Sequence, residues 1–106
     1  MPEPISSAAE AFGRKLQNER KELGASQRQI AEEAEIDEAS YRKIELGYRN
    51  PNLHNMLRIA GALGVPLAKL VDGIDESMTP PAKERTAPRE PLDELKKRRD
   101  AKRSGR

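Results

Sequence analysis

The chain holds 106 residues, with no Cys, no Trp, one His and a hydrophobic share of 35%. This length suits one small domain with part of the chain left outside it, and the composition excludes disulfides, Cys-ligated zinc, thiol nucleophiles and imidazole metal clusters. The formal net charge of +2 is uneven: residues 1–73 carry 10 basic and 11 acidic side chains, whereas residues 74–106 carry 10 basic and 7 acidic.

Residues 1–6, with Pro2 and Pro4, read as a disordered leader. Ser7 and Glu10 stand at capping-box spacing, and Phe12, Leu16 and Leu23 recur at helical spacing up to Gly24. A first helix is expected at about 7–23. Ser26 and Gln29 repeat the capping spacing ahead of Ile30, Ala31 and Ala34, which predicts a second helix at about 27–34. Asp37 caps a third helix that puts Tyr41, Ile44 and Glu45 on one side and Glu38, Ala39, Arg42 and Lys43 on the other; Gly47 ends it. Tyr48 to Pro51 is a polar loop, and Asn52 caps a fourth helix with Leu53, Met56, Leu57, Ile59, Ala60 and Leu63, closed by Gly64. Pro66 opens a fifth helix through Leu67, Leu70 and Val71, which stops at Gly73. No run alternates with period two, so the expected fold is all-α: a compact five-helix domain over residues 7–73.

Residues 74–106 read differently. Pro80, Pro81, Pro88 and Pro91 mark a linker, and Lys96, Lys97, Arg98, Arg99, Lys102, Arg103 and Arg106 make the end basic, so this segment is expected to be a disordered tail. No apolar stretch is long enough to span a membrane and no signal-peptide pattern opens the chain, so a cytoplasmic protein is expected. There is no nucleophile–base set, no Gly-rich phosphate loop and no metal or cofactor motif, which argues against an enzyme.

The short second and third helices, joined by a tight turn, form a helix-turn-helix unit with a motif about 27–46. The residues Ser26-Gln27-Arg28-Gln29-Ile30-Ala31, Ala34-Glu35-Ile36-Asp37, Ile44-Glu45-Leu46-Gly47, Asn50-Pro51 and Ile59-Ala60 through Ala62-Leu63-Gly64-Val65 agree in register with one family pattern. The chain resembles the phage-repressor and Cro-type helix-turn-helix domain over about residues 10–73, a lambda-repressor-like fold. That resemblance implies a sequence-specific DNA-binding transcription regulator. It also implies that Gln27 clamps a phosphate at the start of the second helix and that Arg20 and Glu45 pair beneath the recognition helix.

The DNA major groove is about 12 Å wide and admits one helix with polar side chains outward. Glu38, Ala39 and Ser40 near the start of the third helix, with Arg42 and Lys43 one turn later, are the expected base contacts. Arg42 or Lys43 would donate to guanine O6 and N7, Glu38 would accept from cytosine N4, and Ala39 would meet a thymine methyl. Arg28, Arg49 and Asn50 join Gln27 as expected DNA backbone contacts, which position without reading sequence. Three features depart from the family pattern. Glu35 stands where Gly is usual, Glu32, Glu33, Glu35 and Glu38 put negative charge near this face, and Asp37 replaces a Ser or Thr cap.

One such domain covers little DNA, so a homodimer on double-stranded DNA, acting as a repressor, is the expected form. Two alternatives use the same fold: an antitoxin whose tail binds a protein partner, and an interaction adaptor that no longer reads DNA.

Overall fold

A computed structural model of the protein describes residues 2–80 and 92–104. Five helices follow in order: α1 (Ser7–Leu23), α2 (Gln27–Ala34), α3 (Glu38–Glu45), α4 (Leu53–Leu63) and α5 (Leu67–Val71). A 3-10 turn over Glu76–Met78 comes next, and α6 (Leu92–Ser104) lies near the C-terminus. No strand occurs among the described residues.

Local chemistry sets the helix ends. Ser26 accepts from the Gln29 N–H while the Gln29 side chain reaches back to the Ser26 N–H, a complete capping box. Asp37 and Asn52 each accept from the backbone N–H three residues on, starting α3 and α4. Gly24 and Gly64 close α1 and α4 in the left-handed conformation, at φ 80° and 74°.

The N-terminal end differs from the sequence expectation. The cap of α1 is Ser6, whose hydroxyl accepts from the Ala9 N–H at 3.0 Å; Glu10 pairs with Arg14 instead of turning back. The reason lies upstream. The Ile5 N–H donates to the Gly47 carbonyl at 2.9 Å, so the leader expected to be disordered is tied to the loop after α3 at its last residues. Ser6 then takes the extended conformation that suits a cap.

The core gathers one stripe from each of the five helices: Phe12 and Leu16, Ile30, Ala31 and Ala34, Tyr41 and Ile44, Ile59, Ala60 and Leu63, and Leu70. Burial of one such Leu, Ile or Phe contributes about 1.5–3 kcal/mol. α2 lies against α4, and α1 lies against α3. The second approach is close because α1 carries Gly13 where it crosses the end of α3: a Cβ there would collide with the carbonyl oxygens of Ile44 and Glu45. Ile74, beyond the expected domain end, is partly buried against this core.

In the tail, α6 has helical form but buries no residue. Its Leu, Glu, Lys, Arg and Ala residues favour helix, and Asp93 and Glu94 at its start with Lys102 and Arg103 at its end complement the helix dipole. Of the linker expected over residues 74–91, the first part, 74–80, is described and holds Ile74 and the 3-10 turn, whereas residues 81–91 and the terminal Arg106 lie outside the described residues. No helix among the described residues is long and apolar enough to cross a membrane.

Candidate nucleic-acid interface

The turn between α2 and α3 is made by Glu35, Ile36 and Asp37. Glu35 takes the left-handed conformation, φ 57° and ψ 42°, where Gly would cost nothing. Its N–H donates to the Glu32 carbonyl, the Ile36 N–H donates to the Ala31 carbonyl at 2.9 Å, and Ile36 packs on the core. This wrapping closes α2 and aims α3 away from it. A backbone held by two main-chain bonds and an apolar anchor carries the roughly 1–2 kcal/mol that a non-Gly residue costs there.

α3 turns Tyr41, Ile44 and Glu45 inward. Arg42, Lys43 and Ala39 are exposed, and Glu38 and Ser40 are half-exposed. Ser40 shares a polar cleft with Arg49, Asn50, Asn52 and Asn55, so the loop after α3 brings Arg49 and Asn50 beside the start of the helix. Arg28 sits apart on α2, exposed and paired with Glu32 at 2.9 Å, which holds its guanidinium pKa above the ordinary value.

Behind this face lies Glu45, the one buried carboxylate among the described residues, 2% exposed. Arg20 grips it with two bonds, Nε to Oε2 at 2.6 Å and Nη2 to Oε1 at 3.1 Å, and anchors its third nitrogen on the Ala25 carbonyl at 3.1 Å. Gln27 donates to Oε1 at 3.0 Å. Burial works to raise the Glu45 pKa, but the hydrogen bonds from Arg20 and Gln27 and the Arg20 charge outweigh it and leave the carboxyl below its ordinary value. The fully buried Tyr41 hydroxyl lies beside this carboxylate without a hydrogen bond of ordinary geometry. Burial first, then the nearby anion, pushes its pKa upward. Tyr41 is therefore a neutral core residue.

Gln27 does more than touch Glu45. Its Oε1 accepts from Arg42 Nε at 3.3 Å, and Arg42 Nη2 donates to Glu38 Oε2 at 2.8 Å. The amide expected to clamp a phosphate thus bridges two residues of α3, Glu45 and Arg42, and keeps one N–H hydrogen unused by them. Gln17, which sequence reasoning passed over, donates to the Glu45 main-chain carbonyl at 3.1 Å and ties the end of α3 to α1. Gly13 was missed too; a glycine inside a helical stretch was the available signal, since it signals a close approach when retained in a helix.

The helix-turn-helix family model matches residues 16–70. Control protein C.MunI of Mycoplasma sp is 38% identical over 66 residues, 61% of this chain and 89% of that protein. The CTXphi transcriptional repressor RstR of Vibrio cholerae serotype O1 is 38% identical over 56 residues, 53% of this chain and about half of its own length (50%). Among solved structures, the restriction-modification controller protein C.AhdI from Aeromonas hydrophila superposes with a TM-score of 0.58 at 32% identity, covering 58% of this chain and 94% of that one. The clp gene regulator ClgR from Corynebacterium glutamicum gives 0.60 at 26% identity, covering 66% and 72%. With more than half of its length matched, and α2 and α3 set as the two helices of the motif, the chain belongs to the helix-turn-helix family of the phage-repressor and Cro type.

Proposed function

We propose that the protein is a sequence-specific DNA-binding transcription regulator, a repressor acting as a homodimer on double-stranded DNA. The observation that carries this reading is α3: a short helix with Ala39, Arg42 and Lys43 exposed, propped from behind by α2 and by the Arg20–Glu45 pair. Glu38, Ala39, Ser40, Arg42 and Lys43 enter the major groove, with Arg42 and Lys43 supplying donors for guanine and Ala39 a methyl contact for thymine. Arg49 and Asn50 beside the start of α3, Arg28 on α2, and Gln27 through its remaining amide hydrogen meet the phosphates. The likeness to proteins named as a control protein and a transcriptional repressor supports the regulatory role.

The test is selection of bound duplexes from genomic fragments, followed by binding across a salt series. The expected result is a pseudo-palindromic site with half-sites about one helical turn apart and a linear fall of log affinity with log salt. Substituting Lys43→Ala relaxes the preference at one position by roughly tenfold. Equal, weak binding to every duplex, unchanged by the substitution, overturns the reading in favour of an adaptor.

A further inference from the structure

The polar chain behind α3 runs outward to the reading face. Glu45 only accepts hydrogen bonds and the Arg42 guanidinium only donates them, so the Gln27 amide can serve both in one orientation alone. Its NH2 must face Glu45 and its oxygen must face Arg42, as the 3.0 Å and 3.3 Å bonds have it. The Glu45 end of this chain is itself held by Arg20 from α1. Arg42 is therefore placed by a series of contacts that begins in the core.

The atoms of Arg42 that are engaged matter. Nε faces Gln27 and Nη2 faces Glu38, which together make up the side edge of the guanidinium. The end edge, with one hydrogen on each terminal nitrogen, carries two parallel donors and matches guanine O6 and N7. The Arg42 side chain keeps 51% of its exposure, and neither of its hydrogen bonds uses Nη1.

We propose that Gln27 and Glu38 are positioning residues that hold Arg42 for reading guanine, so that sequence preference depends on two side chains that need not touch a base. This rests on the DNA-binding reading above and sharpens it. Glu38 partly neutralises Arg42, which reduces general attraction to phosphates. Holding the side chain in one geometry reduces the ordering cost of the specific contact. Discrimination gains at the expense of general affinity.

The full-length chain and its Arg42→Ala, Glu38→Ala, Glu38→Gln and Gln27→Met variants are titrated against the selected duplex and against duplexes changed at single positions. Thermal melts establish that each variant folds. Arg42→Ala should relax the preference for guanine at one position by roughly tenfold. Glu38→Ala should bind unrelated duplexes more tightly than the parent, yet lose most of the discrimination at that same position. Gln27→Met should lose discrimination there too, and Glu38→Gln, which keeps the accepting oxygen, should retain more than half. Adding Arg42→Ala to Glu38→Ala should cost only the small remainder at that position, well short of the sum of the two single losses. The proposal is overturned if Arg42→Ala relaxes no position. It is also overturned if Glu38→Ala or Gln27→Met leaves the preference intact, or if Glu38→Ala relaxes a different position, as a direct base contact would. A parent chain without any sequence preference would instead remove the DNA-binding reading itself.

Discussion

At the scale of single residues, Glu45 is the side chain whose burial demands charge compensation. It is a carboxylate at 2% exposure whose compensation comes from Arg20, with Gln27 adding a third bond. Glu45→Gln keeps the shape and removes the charge, which leaves the Arg20 guanidinium, 14% exposed in its side chain, without its counter-ion. A loss of about 3 kcal/mol is expected in denaturant unfolding. The pH dependence has a definite sign. The folded carboxyl ionises more readily than its ordinary value of 4.5, so its contribution is complete above that value. As pH falls below it, the unfolded chain takes up the proton first, and the contribution is gone once pH passes the depressed folded value. Denaturation of the parent chain should show this acid-side slope, and the Gln variant should show a shallower one, since the lowered pKa of Asp75 remains. Arg20 and Glu45 are separated by 25 positions, and only the family resemblance joined them in the sequence. Gln27 reads as an exposed polar side chain at a helix start; its inward bonds depend on neighbours that are distant along the chain.

At the scale of elements, caps and glycines were the readable part. Ser26, Asp37, Asn52, Gly24 and Gly64 act through bonds three or four residues away, so their roles follow from spacing alone. The cap of α1 falls on Ser6 instead of Ser7 because a long-range bond from Ile5 to Gly47 directs the chain into it. Gly13 shows two opposing effects at one site. Helix propensity alone makes Gly13→Ala stabilising by about 1 kcal/mol. The new methyl would meet the carbonyls of Ile44 and Glu45, and main chain cannot swing aside as a side chain can. Overpacking of this kind costs about 1–3 kcal/mol or more, so the net expectation is a lower melting temperature. A higher one would mean that α1 and α3 can separate without penalty.

At the scale of the whole molecule, charge is divided. Residues 81–106 hold 10 basic and 5 acidic side chains, and the preceding 80 residues carry the remaining 10 and 13. A helical domain with net negative charge gains little general attraction to DNA, which leaves affinity to placed side chains, to a second copy, and to the tail. Removing residues 81–106 spares Ile74 and every core residue, so the melting temperature should hold. The salt slope should become shallower by about one unit for each phosphate that the tail had neutralised, with the order of preferred sequences unchanged. An unaltered slope would show that the tail does not lie along DNA.

The sequence by itself determined the helical class, the order of α1 to α5 and the helix-turn-helix motif, because period, caps and turn residues act over a few positions. It also carried the charge division, which needs no coordinates. Tertiary structure alone decided which face of Gln27 is used, why Gly13 is a glycine, how Ile5 sets the start of α1, and that Arg42 is held between Glu38 and Gln27. Each of these joins atoms from elements far apart in the chain, and the distance between such atoms is set by how the helices cross.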